Sequence, residues 1–227
     1  MKTTLEISNN KSVKPSRKGL KYYVKTFGCQ MNEHDSQRIA GLFEKDGMSK
    51  ANSLDDSDIL FVNTCTIRES ADDKLYGTLG QLKVWKKHNP NRKLLVGGCA
   101  AQKDKELVMS KAPWVDVVLG THNLTNVIKL LNQSEDWGPV TEILDQIEDL
   151  PTEAPSIQDS EVSALVTIQI GCNNSCTFCI VPSVRGPEIS RRPSDIVNEV
   201  TQLVNTGIKE IILLGQNVNS YGRDLKI

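Results

Sequence analysis

The sequence has few aromatic residues, only three histidines and no long apolar run. No apolar segment approaches the ~20 residues that a membrane-spanning helix needs, so we expect no membrane partner. The amino terminus, MKTTLEISNNKSVKPSRK, carries lysines but lacks the apolar stretch of a secretory signal. We therefore predict a cytoplasmic protein.

The overall charge is also small, because 27 basic residues nearly balance 28 acidic ones. A net charge of −1 gives no global indication of a nucleic-acid partner, but the charges are unevenly distributed. Residues 1–25 and the tract Lys83–Lys93 are basic, whereas Glu135–Glu161 carries acids and no base. The basic tracts indicate either a rim that faces phosphates or ordinary solvated faces.

Six cysteines are the most informative residues of the chain. In a small secreted protein an even number would indicate disulfides, whereas in a cytosolic chain metal binding is more common. Three of them lie far apart in the sequence, and three share one loop with the spacing CxxxCxxC: Cys29, Cys65 and Cys99, and then Cys172, Cys176 and Cys179.

Three short apolar segments are predicted to be buried strands, and each ends at a cysteine: Tyr22–Cys29, Asp58–Cys65 and Lys93–Cys99. Helix-permissive stretches follow the first two, and Gly47 is predicted to end the first helix. In a parallel sheet with right-handed crossovers all carboxyl ends lie on one edge, so the three cysteines can converge there. Val115–Thr121 is predicted to be a fourth strand. We interpret residues 20–135 as an open parallel-sheet α/β domain.

A second unit follows an acidic, proline-containing segment, residues 136–161, which we interpret as a linker. From residue 162 to residue 227 the pattern predicts the strand Ser163–Ile170, the three-cysteine loop, a helix that starts at a Ser194 cap, and the strand Glu210–Gly215. This is the pattern of the first part of a βα barrel. The predicted fold class is therefore α/β, with the open parallel sheet followed by a partial barrel.

The loop with three cysteines predicts a specific chemistry. If three thiolates hold a 4Fe–4S cluster, one iron keeps an open coordination position. S-adenosylmethionine offers an amine and a carboxylate for that position, and one electron from the cluster can cleave its sulfonium to give a radical. A zinc site would need a fourth ligand, and His34, His88 and His122 show no spacing that supplies one.

The three separated cysteines are less specific by their spacing alone. Buried at strand ends, they can act simply as small apolar side chains. The residues around them carry more information, because TFGCQMNEHDSQRIAGLF, FVNTCTIRESADDKLYGTLG, GGCAAQ and PWVDVVLGTHNL resemble the amino-terminal domain of the methylthiotransferases. CNNSCTFCIVPSVRGPEISRRP and LLGQNVNSYG resemble the radical S-adenosylmethionine barrel of the same family. The resemblance runs from about Tyr22 to Tyr221.

The residues of two motifs favour one branch of this family. Cys29–Asn32 and Cys65–Glu69 resemble the branch that modifies N6-(dimethylallyl)adenosine in tRNA at carbon 2. The resemblance implies that Cys29, Cys65 and Cys99 hold a second, auxiliary 4Fe–4S cluster. It further implies the use of S-adenosylmethionine as methyl donor and radical source, a tRNA substrate, an external reducing electron donor and a monomeric protein.

Polar residues near the predicted loops are candidate contacts. Residues predicted to bind the cofactor are Phe178, Glu188, Arg191, Gln216 and Asn217, and residues predicted to contact tRNA are Arg185 and Arg192. Salt bridges within the barrel and turn-forming amides are the alternatives for these residues. Asn63 and Gln30 are predicted to support the cysteine ligands.

The sequence departs from the family pattern at Ile227, which falls before most of the barrel. We therefore expect a fragment with an uncovered parallel edge that is inactive alone. Three alternatives stay open: an iron–sulfur module for electron transfer, a methylthiotransferase for threonylcarbamoyladenosine or a ribosomal protein, and a structural zinc protein.

Overall fold

The structure, a computed structural model, describes residues 17–66, 70–146, 156–158 and 160–225. Strands and helices alternate through the first unit as predicted. Its elements are β1 (Lys21–Thr26), α1 (Gln30–Lys45), β2 (Ser49–Lys50), β3 (Ile59–Thr64), α2 (Ser70–His88), β4 (Lys93–Gly98), α3 (Cys99–Asp104), α4 (Leu107–Lys111), β5 (Val117–Leu119), α5 (Val127–Trp137) and β6 (Val140–Glu142).

These strands form one six-stranded sheet in the order β2-β1-β3-β4-β5-β6, and every pair in it is parallel. The structure thus confirms the predicted α/β class. Two short strands extend the sheet beyond the prediction. One of them, β6, lies inside the range 136–161 that the sequence indicated as a linker, so the first residues of that range belong to the sheet. Residues 147–155 and 159 of the same range lie outside the described residues, as does the basic segment 1–16.

Apolar side chains cover both faces of this sheet. The central strand β3 is buried along its whole length because its residues face a helix layer on either side. Leu75, Leu79 and Leu82 recur at helical spacing on α2 and pack on one face. Ile39 and Phe43 of α1 pack on the other face, together with α5. The helix α1 ends at Lys45, and Gly47 follows with φ +97°, as the sequence predicted.

The second unit is smaller. Its elements are β7 (Ser163–Thr167), β8 (Gln169–Ile170), α6 (Val181–Arg185), β9 (Ile189–Ser190), α7 (Pro193–Asn205) and β10 (Glu210–Leu214), followed by a 3₁₀ turn at Val218–Ser220. β7 and β10 pair in parallel, as expected for the start of a βα barrel. The predicted strand Ser163–Ile170 is divided, because β8 pairs antiparallel with β9, a strand that the sequence analysis missed.

The start of α7 also differs from the prediction. Its N-cap is Arg192 and Pro193 occupies the first turn, so Ser194 is not the capping residue. A proline is favourable there because its fixed φ suits the helix and its missing N–H has no intrahelical partner. No residue of α7 is buried, and Val197 and Val204 are more than half exposed. Within the described residues, no helix is long and apolar enough to cross a membrane.

Candidate metal centre

The three separated cysteines follow three neighbouring strands. Cys29 is the N-cap of α1, Cys65 comes directly after β3, and Cys99 is the first residue of α3, directly after β4. Because β1, β3 and β4 are adjacent and parallel, these cysteines lie at one edge of the sheet. The placement at strand carboxyl ends agrees with the sequence prediction.

Glycines let these strand ends approach one another closely. Gly28, with φ +134°, has so little room that an added Cβ would lie 3.0 Å from the Cβ of Cys65. Gly98, with φ +92°, lies against the side chain of Asn63 and the backbone of Thr64. A side chain at either glycine would be strained and would push the cysteine-bearing loops apart.

Asparagine side chains tie the same loops together. The Asn63 amide donates hydrogen bonds to the Asn32 carbonyl at 2.7 Å and to Ser36 Oγ at 2.9 Å. The Asn32 amide donates to the Thr64 carbonyl at 2.9 Å, and its Oδ1 lies 3.3 Å from the Cys29 sulfur. Asn63 is fully buried, so these bonds fix the geometry of the loops that carry the cysteines.

The electrostatic setting of Cys99 involves the second unit. Burial raises the pKa of the Cys99 thiol, and the nearby Arg185 guanidinium opposes that rise by its charge and by a hydrogen bond. Arg185 in turn forms an ion pair with Asp35 of α1 at 2.7 Å. Burial disfavours the charged guanidinium, but Asp35 and Cys99 outweigh this effect and raise the pKa of Arg185.

The other three cysteines lie in the loop after β8. Cys172 is buried and its amide donates to the Gly186 carbonyl at 3.1 Å, whereas Cys176 and Cys179 are exposed. The Cys179 amide donates to the Cys176 carbonyl at 3.2 Å, which folds the loop back on itself. Phe178, between them, has φ +62° and a fully exposed ring. A non-glycine residue in this region is uncommon, so the loop holds an unfavourable backbone conformation at that point.

Both sets offer the donors that an iron–sulfur cluster needs. Among the described residues, no three His, Cys, Asp or Glu side chains already surround a common metal position. The donor type and the backbone positions nevertheless fit, because cysteine thiolates are the usual cluster ligands and each set confines three of them to one strand edge or one loop.

Residues predicted to contact the cofactor lie around the second set. Glu188 precedes β9, its amide donates to Asn173 Oδ1 at 3.0 Å, and its carboxylate accepts from Ser220 Oγ at 2.6 Å. Gln216 and Asn217 follow β10 at its carboxyl end and are half-buried. Ser220 connects these segments, since it also accepts a hydrogen bond from Gln169 at 3.1 Å.

The three candidate arginines occupy different environments. Arg185 is buried in its ion pair with Asp35, so in this arrangement it does not face a tRNA phosphate. Arg191 is also buried; it pairs with Glu199 at 2.5 Å and donates to the Thr167 carbonyl at 2.7 Å. These contacts correspond to the salt-bridge alternative that the sequence left open. Arg192 alone of the three is exposed.

The basic tract Lys83–Lys93 lies away from the cysteines. It comprises the end of α2 and the start of β4, which is the amino-terminal edge of the sheet. Lys86 and Lys93 both pair with Asp116, and Arg92 stacks on the Trp85 ring at 4.9 Å. These three basic side chains therefore have partners within the protein, as expected for an ordinary charged surface.

Several residues that join the two units were missed by sequence reasoning. His34 Nδ1 lies 2.6 Å from Thr167 Oγ1, and Thr121 Oγ1 donates to the Val184 carbonyl at 2.5 Å. His34, Asp35 and Arg38 are buried although they lie on a polar stretch of α1. The only sequence signal was that this polar stretch directly follows the cysteine motif.

Two family models match the chain in succession. Residues 21–120 match the uncharacterized protein family UPF0004, and residues 166–227 match the radical SAM superfamily. The tRNA-2-methylthio-N(6)-dimethylallyladenosine synthase of Corynebacterium efficiens is 52% identical over 202 residues, which is 88% of this chain and 38% of that protein. The synthase of the same name from Mycobacterium leprae is 51% identical over 205 residues, covering 88% of this chain and 40% of the relative. The chain thus spans about two fifths of the length of these relatives.

Solved structures support the fold alone. The radical S-adenosylmethionine methyltransferase TsrM from Kitasatospora setae, solved with tryptophan and a SAM analog, aligns with a TM-score of 0.56 at 11% identity. The alignment covers 88% of this chain and 48% of that one. The two domain matches in this order, together with the identity over most of its length, show that the chain belongs to the radical S-adenosylmethionine methylthiotransferase family.

Proposed function

We propose that this chain takes part in methylthiolation at carbon 2 of N6-(dimethylallyl)adenosine in tRNA. In this proposal each set of three cysteines holds one 4Fe–4S cluster: Cys29, Cys65 and Cys99, and Cys172, Cys176 and Cys179. The observation that supports it most directly is the position of the first set. These cysteines lie at the carboxyl ends of three adjacent parallel strands, on the edge of the sheet that contacts the second unit. The protein would act in the cytosol as a monomer with an external reducing partner.

Some residues of the chain would hold the clusters, and others would bind the cofactor. When bound, a cluster with S-adenosylmethionine supplies one-electron cleavage of the sulfonium, and an auxiliary cluster supplies a site for sulfur. Gln216 and Asn217 lie at the carboxyl end of β10, where their amides would orient the polar groups of the cofactor. Glu188, fixed by Ser220, would accept hydrogen bonds from it. Arg192 is exposed and would face RNA phosphates.

The number of clusters is tested by iron and acid-labile sulfide after anaerobic reconstitution. We expect about eight irons per chain in the wild type and about four in each of two variants, since each 4Fe–4S centre holds four. One variant carries alanine at Cys29, Cys65 and Cys99, and the other at Cys172, Cys176 and Cys179. About four irons in the wild type, unchanged by alanine at the first set, would remove the auxiliary cluster from the proposal.

The substrate is tested by mass analysis of tRNA after an anaerobic reaction. With tRNA that carries dimethylallyladenosine we expect no methylthio product from this chain alone, because Val197 and Val204 of α7 are more than half exposed and, among the described residues, β7 pairs with β10 only. We expect the product when the same motifs are assayed in one of the full-length relatives. Methylthiolated threonylcarbamoyladenosine instead would assign the other branch of the family. Product from this chain alone would overturn the expected inactivity.

A further inference from the structure

The two helix layers of the first unit carry charge of opposite sign. The helices α2, α3 and α4 pack on one face of the sheet and contain six basic and three acidic residues. The helices α1 and α5 on the other face contain three basic and five acidic residues. The layer that contains α2 therefore has a positive potential that the nearly neutral chain as a whole conceals.

Four lysines of this layer have no acidic partner. They lie on α2 and α4, their side chains are exposed, and we call them the lysine face: Lys74, Lys83, Lys87 and Lys111. Among the described residues no carboxylate forms an ion pair with any of them, whereas Lys86 of the same helix pairs with Asp116. The charges of the lysine face are thus available to an anion from outside the chain.

Aromatic rings hold two of these side chains in place. Lys83 Nζ lies 5.0 Å from the centre of the Trp114 ring, and Lys111 Nζ lies 4.1 Å from the centre of the Tyr76 ring. The rings are fixed in turn, since the Trp114 indole donates to a carbonyl of α2 at 2.9 Å and the Tyr76 hydroxyl donates to Asp104 at 2.6 Å. A lysine held on a ring keeps its charge and loses less side-chain entropy when an anion binds.

The lysine face is elongated, which indicates a partner with charges in a row. The helix α2 starts beyond the strand end that carries Cys65 and returns to the amino edge of the sheet. Lys74 and Lys87 are thirteen residues apart on it, about 20 Å at the rise of an α-helix. Between them Gly77 and Gly80 keep the surface low, since a Cβ added to either would meet nothing within 4 Å. Nucleic-acid phosphates form such a row, whereas a globular acidic protein does not.

We propose that the lysine face binds the phosphate backbone of the tRNA substrate, whose stem lies along α2 while the modified base reaches the strand end at Cys65. This inference rests on the proposed function, because it takes tRNA as the substrate. Contacts to phosphates position a nucleic acid without reading its sequence, so the lysine face would orient the tRNA and leave its selection to other residues.

The test measures binding of a fluorescein-labelled anticodon stem-loop RNA that carries N6-(dimethylallyl)adenosine. Fluorescence anisotropy with the full chain gives Kd at several salt concentrations, without any need for turnover. The variant Lys83→Gln/Lys87→Gln/Lys111→Gln removes three charges, and Lys74 is kept because it lies nearest to Cys65 in the sequence. We expect Kd to rise at least about tenfold at 0.1 M salt, and the slope of log Kd against log salt to fall by about 3.

Two control variants separate phosphate contacts from a general loss of charge or of structure. Lys18→Gln/Lys45→Gln/Lys209→Gln removes three charges from other exposed lysines, and we expect Kd to change less than about twofold with the wild-type salt slope. A variant with arginine at all three tested positions of the lysine face keeps the charge and should keep the affinity.

The outcomes separate this inference from the proposed function. An unchanged Kd and salt slope in the glutamine variant would overturn the inference, and so would an equal loss of affinity in the lysine control. If the glutamine variant fails to fold, Lys83→Gln/Lys87→Gln decides, with a slope change of about 2 expected. A wild-type chain that binds no RNA at 50 mM salt would also overturn it. The proposed function is judged separately, by iron content and by the product of the full-length relative.

Discussion

The two units of this chain differ in how their apolar residues are covered. In the first unit a six-stranded sheet has an extensive buried cluster on each face, and its central strand is fully enclosed. In the second unit the buried cluster contains only four residues, one of them, Met31, contributed by α1. The helix α7 has an apolar stripe of the kind that normally faces a core, yet none of its residues is buried.

This contrast shows that the two units are stabilised by different interactions. The first unit has its own two-sided core, whereas the second combines a small apolar cluster with polar contacts to α1, such as His34 with Thr167 and Asp35 with Arg185. Substitutions in the first core should therefore lower stability by loss of packing. Substitutions at the contact between the units should act through unpaired buried charge.

The largest expected effect comes from Phe61→Ala in β3. Phe61 is fully buried, and Gly97 on the next strand makes room for its ring, since a Cβ there would lie 2.6 Å from Phe61 Cζ. We expect the free energy of unfolding in urea to fall by about 3–5 kcal/mol. Phe61→Leu, which keeps most of the apolar volume, should cost clearly less. Equal losses for the two variants would contradict a tightly packed first core.

A somewhat smaller loss is expected from Asp35→Ala at the contact between the units. Removing this carboxylate leaves the buried Arg185 without its ion-pair partner, and we expect a cost of about 3 kcal/mol, the lower end of the range for a broken buried pair. The double variant Asp35→Ala/Arg185→Met should recover part of the loss because the unpaired Arg185 charge is gone, whereas the buried Arg38 still lacks the nearby charge of Asp35. Asp56→Ala, at an exposed pair with Lys21, is the control and should leave the unfolding free energy unchanged. A double variant no more stable than the single one would argue against this account.

The stability of the contact between the two units should depend on pH because of His34. Burial, followed by the charges of Arg38 and Arg191, holds the pKa of His34 well below its usual value. Below the ordinary histidine pKa of about 6.5 the unfolded chain takes up a proton that the folded chain does not, so stability falls by about 1.4 kcal/mol per pH unit until the folded pKa is reached.

The variant His34→Gln removes this titration. Its unfolding free energy, measured on iron-free protein between pH 7 and pH 5, should therefore change less with pH than that of the wild type. His88→Gln, which replaces an exposed histidine on α2, is the control and should keep the wild-type slope. His122, whose pKa is also lowered chiefly by burial, is present in both variants and cancels in the comparison. Equal pH slopes of the unfolding free energy for wild type and His34→Gln would contradict the assignment of this pH dependence to His34.

The smallest effect is expected on α7. Val197 is 62% exposed, so Val197→Ala should change the unfolding free energy by less than about 0.5 kcal/mol. Val96→Ala on β4 removes the same atoms from a fully buried site and should cost about 2 kcal/mol. A cost at Val197 as large as that at Val96 would mean that α7 is covered in solution, and the contrast between the units would no longer hold.

The sequence predicted those features that short segments determine. Apolar runs that end at Cys29, Cys65 and Cys99 indicated parallel strands, and their strand-end positions followed from that topology. Leu75 and Leu79 showed the buried face of α2 by their spacing. The assignment of metal ligands stays a prediction that rests on motif and family.

The features that the sequence did not predict depend on distant partners. β9 forms because Ile189 pairs with Ile170, across the loop that holds three of the cysteines. No pattern in the sequence indicated that His34 and Asp35 are buried, because the apolar periodicity of a helix indicates only the side that meets its own sheet. Their partners, Thr167 and Arg185, lie more than 130 residues away in the chain.

Because α1 is enclosed on both sides, it belongs to two cores at once. Ile39 and Phe43 complete the sheet of the first unit, and Met31, His34 and Asp35 form part of the wall of the second. The two units are therefore not interchangeable modules. Grafting the second unit onto another amino-terminal domain would leave the buried Arg185 without its partner Asp35 unless α1 were transplanted with it. Homologous recombination between relatives should accordingly preserve α1 and the barrel segment as one inherited block.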